Sequence, residues 1–260
     1  MNGILITSTV APLLAAPSLA SEQVSQMVLG EGAEILAVQG SMLRVRTRLD
    51  QYEGWLHEGY TERVPIGEVD EWLAGAAWSE GALLELASGI ALRAPHRARL
   101  ILGEGSRVRL PDGENADLLA GTVRDYDALI LEARTEPPAE WAWREFAGTP
   151  YLWGGITGAG IDCSGLVQNT FLARGTTLPR DAHAQAGYGE VVERTDRQAG
   201  DLLFFRGVDT ERVTHVAMLA GTETIVHSAV DTGGVTRESW DDGSRAAPLR
   251  ERLVAVRRLA

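Results

Sequence analysis

The 260-residue sequence is 45% hydrophobic and carries 36 acidic against 24 basic residues, a formal net charge of −12, with no apolar run near the length that spans a bilayer. A globular chain of two or three domains is expected, with neither nucleic acid nor the anionic polymers of a wall or membrane surface as partner. All 24 basic residues are Arg, which excludes Schiff-base and lysine general-base chemistry, and a single cysteine permits no intrachain disulfide.

The first apolar stretch, 4–20, is broken by Pro12 and Pro17 and precedes the first basic residue, Arg44. A secretory leader needs a positively charged start. Thr9-Val10-Ala11-Pro12-Leu13 therefore reads as the first strand of a domain, and a cytoplasmic location is expected, with secretion or the cell wall as the alternative. Val28-Leu29-Gly30-Glu31-Gly32-Ala33-Glu34-Ile35 recurs as Ile101-Leu102-Gly103-Glu104-Gly105-Ser106-Arg107-Val108, 73 residues on, both copies preceded by an Ala-Pro step. Self-similarity of this kind implies two copies of one small module. Alternation predicts strands over Met42–Thr47 and Gly54–His57 around a turn at Asp50-Gln51-Tyr52-Glu53, the pattern of a small β-barrel. Glu136-Pro137-Pro138 marks a linker and Ala139–Ala147 a short helix. The expected domains are 1–63, 64–135 and 136–260.

The third domain holds the residues with chemistry. Tyr151-Leu152-Trp153-Gly154-Gly155 leads through a Gly-rich connection to Asp162-Cys163-Ser164-Gly165, and Leu166, Val167, Thr170 and Phe171 then recur at helical spacing. A lone cysteine most often reads as a buried apolar residue. At a helix N-terminus, however, the helix dipole favours thiolate, the form a nucleophile needs. Downstream, Val213–Leu219 and Ile225–Ser228 read as the strands of a hairpin turning at Ala220–Glu223. Centring that turn on Gly221 puts His215 directly opposite His227 on one face. Either His alone reads as structural. As neighbours, one can serve as base for the cysteine and the other can orient that base. One Cys and two His also make a possible zinc set, which the helix-start setting of the cysteine disfavours. His57, His96 and His183 read as structural or surface residues.

These motifs, with Leu178-Pro179-Arg180-Asp181, Gly200-Asp201-Leu202-Leu203-Phe204-Phe205, Thr214-His215-Val216 and His227-Ser228, resemble the NlpC-type cell-wall cysteine peptidases over about residues 136–260. The resemblance implies an α+β chain: a permuted papain-like cysteine peptidase domain preceded by two small SH3-like β-barrels, the first matched best by Tyr52-Glu53-Gly54-Trp55. It makes Cys163 the nucleophile, His215 the base, His227 the third polar residue and Tyr151 an aid to the oxyanion, and adds Trp153 and Ser164 to the substrate-binding residues. The γ-D-glutamyl-L-diamino-acid endopeptidase branch further implies that Glu31 and Tyr52, helped by Asp162, recognise the free ammonium of an N-terminal L-Ala. A carboxylate and a phenol in a closed pocket suit an ammonium and reject an acylated amine. Arg180 suits a substrate carboxylate, with Asp181 beside it; the competing readings are an internal Arg180–Asp181 ion pair, a turn carboxylate for Glu31 and a barrel aromatic for Tyr52.

The resulting expectation is hydrolysis of the γ-D-Glu–diamino acid bond in short murein tri- and tetrapeptides by a monomer that needs no metal or other cofactor. Two alternatives remain: a secreted hydrolase acting on intact wall, and a non-catalytic wall- or peptide-binding module.

Overall fold

The structure, a computed structural model, describes residues 1–259. The chain forms two compact units, Met1–Leu129 and Ile130–Ala260. Among the described residues no helix is long and apolar enough to cross a membrane.

In the first unit, β1 (Gly3–Ile6), β2 (Val10–Leu14), β3 (Gln23–Val28), β4 (Gly32–Gln39), β5 (Met42–Thr47), β6 (Glu53–His57) and β7 (Thr61–Val64) make a seven-stranded sheet in the order β3-β2-β6-β5-β4-β1-β7. Alternate residues, among them Ile4, Ile6, Leu13, Leu43, Val45 and Leu56, meet in one core. The stretch beginning at Thr9 is thus the second strand. β1 precedes it, with all four residues buried, so no polar alternation betrays it as a strand. β5 and β6 lie where the sequence predicts them. The turn between them has the hydroxyl of Thr47 and the carboxylate of Asp50 accepting from Tyr52 N–H at 3.0 and 3.2 Å.

Helix α1 (Ile66–Gly75) buries Val69 and Trp72 against Leu5, and the Trp72 indole N–H donates to Gly30 O at 2.9 Å. β8 (Ala77–Leu86), β9 (Ala91–Leu102), β10 (Arg107–Arg109) and β11 (Asn115–Arg124) then close a barrel. α2 (Tyr126–Ala133) follows and crosses the division between the units. The sheet and the barrel, expected as separate domains at 1–63 and 64–135, share one compact unit.

The internal repeat is a correction. Its first copy is the corner between β3 and β4, which are not neighbours; its second is the turn of the β9–β10 hairpin, where Leu102 pairs with Val108. Like sequences fold differently because the left-handed residue differs. It is Gly30 in the first copy, at φ +77°, and Gly105 in the second, at φ +68°. Gly30 has a second constraint: Arg99 N–H donates to Leu29 O at 2.8 Å, and a Cβ on Gly30 would lie 2.0 Å from Arg99 O.

In the second unit, α3 (Pro138–Phe146) starts on Pro138, whose missing N–H and fixed φ suit a first helical position. β12 (Ile156–Thr157) and β13 (Gly160–Ile161) form a two-stranded ribbon just before α4 (Cys163–Ala173), every residue of which is buried. Its polar side chains are satisfied internally: Gln168 donates to Leu178 O at 3.0 Å and Asn169 to Ile156 O at 3.0 Å. After α5 (Ala182–Gln185) come β14 (Glu190–Val191), β15 (Leu202–Arg206), β16 (Val213–Leu219), β17 (Thr224–Ala229) and β18 (Gly234–Ser239), then α6 (Leu249–Arg252) and β19 (Leu253–Arg258). The sheet order is β14-β19-β15-β16-β17-β18. Leu203, Phe205, Ala217, Leu219 and Ile225 share one face with Trp240, while Phe204, Val216, Met218 and Val226 are also fully buried. Central strands covered on both faces hold the polar residues they carry in fixed positions.

The two motif glycines give a direct check. Gly30→Ala is expected to destabilise the protein by roughly 2–4 kcal/mol, through the forced φ and the collision with Arg99 O. The matching Gly103→Ala, whose Cβ lies 3.2 Å from its nearest neighbour, is expected to cost about 1 kcal/mol or less. Chemical denaturation of the two variants measures the difference.

Candidate active site

Cys163 is the first residue of α4, and its position follows from the residue before it. Asp162 is the N-cap; its Oδ1 accepts Gly165 N–H at 2.7 Å and its Oδ2 accepts Gly154 N–H at 2.9 Å. The same carboxylate takes both Arg180 NH groups, at 3.0 and 2.6 Å, and Arg180 also donates to Ser164 Oγ at 2.8 Å. Asp162, Ser164 and Arg180 are 5, 6 and 2% exposed. This is where the structure departs from the sequence-based reading of Arg180. Its partner is Asp162, eighteen positions earlier, and its donors are engaged within the fold. Asp181, adjacent in sequence, is the N-cap position of α5 and makes no side-chain cap bond there.

His215 and His227 sit on β16 and β17, and His215 Nε2 lies 2.8 Å from His227 Nδ1. The hairpin closes through Ala220 N–H to Thr224 O, and Met218 pairs with Val226, so the turn centres on Thr222 rather than Gly221. The two histidines are therefore diagonal rather than directly opposite. A register moved by whole pairs preserves parity, so both remain on one face. The His215 ring also stacks on Phe205, with centroids 5.8 Å apart.

Cys163, His215, His227 and Tyr151 line one cavity of about 340 Å³. Two further residues in its wall were not singled out from the sequence. Glu238 on β18 stands 2.8 Å from His227 Nε2, and Arg245 holds the other carboxylate oxygen at 2.9 Å. From Thr236 on, β18 alternates between half-buried and exposed positions, so in sequence Glu238 looks like an ordinary surface acid.

The electrostatics correct one expectation. Burial pushes the Cys163 thiol up to about 12, reinforced by the Asp162 charge and opposed by the Val216 and Ser164 N–H groups and by Arg180. Burial holds His215 down to about 3, with the neighbouring His227 and Arg252 adding to the effect. The helix start supplies the dipole expected, yet desolvation and the adjacent carboxylate outweigh it. Both shifts favour the uncharged forms, a thiol and a neutral imidazole. Burial, with the Cys163 and Asp162 charges, raises the Tyr151 phenol well above its usual range, so it stays a hydrogen-bond donor.

The remaining expected residues are placed as follows. Trp153 is 58% exposed. In the first unit, Glu31 is buried, accepting Arg97 Nε–H at 2.7 Å and Val28 N–H at 3.0 Å. It borders a cavity of about 220 Å³ together with Trp78 and Arg99. Tyr52 packs against the core of the seven-stranded sheet.

A cysteine at a buried helix start and a strand-borne histidine pair lining one cavity are the arrangement of a cysteine hydrolase. Residues 148–257 match the NlpC/P60 family and residues 13–59 match the bacterial dipeptidyl-peptidase SH3 domain; the chain carries both domains. It is 35% identical over 129 residues to a γ-D-glutamyl-L-lysine dipeptidyl-peptidase of Bacillus cereus, covering 47% of this chain and 37% of that protein. The chain thus spans little more than a third of that relative's length. It is 28% identical over 271 residues to dipeptidyl-peptidase 6 of Lysinibacillus sphaericus, covering 93% of each. The crystal structure of an NlpC/P60 family protein from Bacillus cereus shares the fold, with a TM-score of 0.79 at 23% identity, over 98% of this chain and 99% of that one.

The depressed His215 value has a measurable sign. A histidine held below its unfolded value of 6.5 stabilises the fold above that pH and loses the contribution as pH falls toward 3. Denaturation midpoints of the wild type are expected to decline between about pH 6.5 and 3 more steeply than those of His215→Gln.

Proposed function

We propose that the protein is a cysteine endopeptidase that cleaves the γ-D-Glu–diamino acid bond of short murein peptides bearing a free N-terminal L-Ala, a reaction suited to recycling wall fragments in the cytoplasm. The observation that carries the reading is the convergence of Cys163, His215, His227 and Tyr151 on one cavity. The names of the relatives, γ-D-glutamyl-L-lysine dipeptidyl-peptidase among them, support peptidoglycan peptide hydrolysis. The free-amine preference is the part that rests on Glu31 and Tyr52. Arg97 and Val28 N–H each take one oxygen of Glu31, and a carboxylate has acceptor capacity beyond two bonds. On this reading the catalytic domain is a permuted papain-like fold.

In the mechanism, the Cys163 thiol approaches the γ-carbonyl and His215 takes its proton as the C–S bond forms. The oxyanion is held by the backbone N–H at the start of α4 and by the Tyr151 hydroxyl, which burial keeps protonated. His215 then gives the proton to the departing amine of the diamino acid, leaving a thioester. Water attacks the thioester with His215 as base, and the C–S bond breaks to release L-Ala-D-Glu and the thiol. Asp162 and Arg180 act by fixing the helix start that presents the sulfur.

The test is mass spectrometry of L-Ala-γ-D-Glu-diaminopimelate and its N-acetylated form after incubation with the protein. Release of L-Ala-D-Glu from the free-amine peptide is expected, with Cys163→Ala slower by at least about 10³-fold. Equal cleavage of both peptides would favour a wall hydrolase, and full activity of Cys163→Ala would end the covalent reading.

A further inference from the structure

We propose that Glu238, anchored by Arg245, is a positioning residue that fixes which nitrogen of His215 carries the proton, acting through His227. The proposal rests on the assignment of His215 as the base for Cys163.

The geometry is a continuous chain on one face of the sheet. Thr236 pairs directly with His227, so Glu238, two residues along β18, is the diagonal neighbour of that histidine. Glu238 Oε1 lies 2.8 Å from His227 Nε2, and His227 Nδ1 lies 2.8 Å from His215 Nε2. On the far side, Arg245 holds Glu238 Oε2 through Nε at 3.0 Å and through its terminal NH₂ at 2.9 Å. The side chains of His227 and Glu238 are only 4 and 14% exposed, so water does not compete freely for these bonds.

The hydrogen positions follow from donor and acceptor chemistry. An ionised carboxylate only accepts, so His227 carries its proton on Nε2. A neutral His227 then offers a lone pair at Nδ1. The hydrogen between the two rings must belong to His215, on Nε2. That leaves the lone pair of neutral His215 on Nδ1, the one nitrogen outside the chain and the one available to the thiol. Without a fixed acceptor at Nε2, His227 is free to protonate Nδ1 and donate to His215. His215 would then present an N–H toward the thiol and a lone pair toward its neighbour, the unreactive arrangement. Glu238 selects between two chains that the ring positions alone permit equally. It also stabilises the imidazolium that forms during attack, through the His227 dipole and without taking a proton. Arg245 keeps the carboxylate an acceptor. The other charged or titratable groups around the chain are Arg252, which opposes charge on His215, Asp231, Tyr151 and Cys163, all in the cavity wall.

An isosteric substitution separates positioning from structure. Arg245 has only donors, so in Glu238→Gln the amide oxygen faces Arg245 and the NH₂ faces His227 Nε2, demanding a lone pair there and reversing the chain. Glu238→Gln/Arg245→Leu frees the amide to turn its oxygen back to His227. The experiment is long-range ¹H–¹⁵N spectroscopy of histidine-labelled protein, with His215→Asn and His227→Asn for assignment, together with kcat and KM on the γ-D-Glu peptide. Both wild-type rings are expected to carry hydrogen on Nε2 and none on Nδ1. Glu238→Gln should reverse that pattern and lower kcat by roughly 10- to 100-fold with little change in KM, and the double variant should regain part of both. An unchanged proton pattern in Glu238→Gln, or a reversed pattern with unchanged kcat, would overturn the proposal. If no murein peptide is cleaved by the wild type, the functional reading fails separately, and the spectra still decide whether Glu238 sets the proton.

Discussion

A carboxylate and a guanidinium buried against each other determine where the thiol stands. Asp162 caps α4, accepts from Gly154 N–H in the loop before it, and is held by Arg180 from the chain beyond the helix. Charges this deeply buried are tolerable only when paired and hydrogen-bonded, and removing one partner leaves the other stranded. Three segments, 154–155, 162–165 and 178–181, are thereby forced to a common point one residue from Cys163. In the proposed mechanism, a nucleophile presented from so constrained a joint needs little rearrangement to reach a bound carbonyl.

The same constraint has an electrostatic consequence. Burial raises the Cys163 thiol, and the carboxylate that positions the helix start adds to that rise, opposing the dipole of the helix it caps. Geometry was favoured over a free thiolate. The proposed catalysis then depends on a base that can accept the proton at the moment of attack, and on that base having its lone pair aimed correctly. The histidine pair meets the second need because His215 is hydrogen-bonded to the buried His227, and because His227 is itself tied to Glu238 on the next strand. A dry wall and a directed hydrogen-bond chain are two aspects of one design: excluding water makes proton placement durable, and makes a wrong placement costly.

Much of this arrangement is legible in the sequence. Helical spacing after Asp162-Cys163 marks α4, and the even separation of His215 and His227 puts them on one face in every register that moves by whole pairs. What the sequence hides depends on partners distant along the chain. Arg180 lies next to Asp181 in sequence but pairs with Asp162 in space. The centre of the hairpin turn depends on which amide reaches Thr224 O, a one-residue choice that patterning does not decide. Glu238 alternates like a surface acid because its burial comes from Arg245 and from the cavity wall. β1 lacks polar alternation since all of it is interior. The repeated Val-Leu-Gly-Glu-Gly motif of 28–32, echoed at 101–105, misleads for a related reason. Its shape is set by whichever glycine turns left-handed, and at Gly30 that choice is imposed by the backbone of Arg99.

In the proposed mechanism Cys163 itself carries the acyl group. Rapid acid quench of the protein during turnover of L-Ala-γ-D-Glu-diaminopimelate, followed by intact-mass and peptide mapping, tests it most directly. A transient L-Ala-D-Glu thioester on the peptide containing Cys163 is expected. Undiminished turnover by protein whose Cys163 has been chemically blocked, or an adduct confined to another residue, would contradict it.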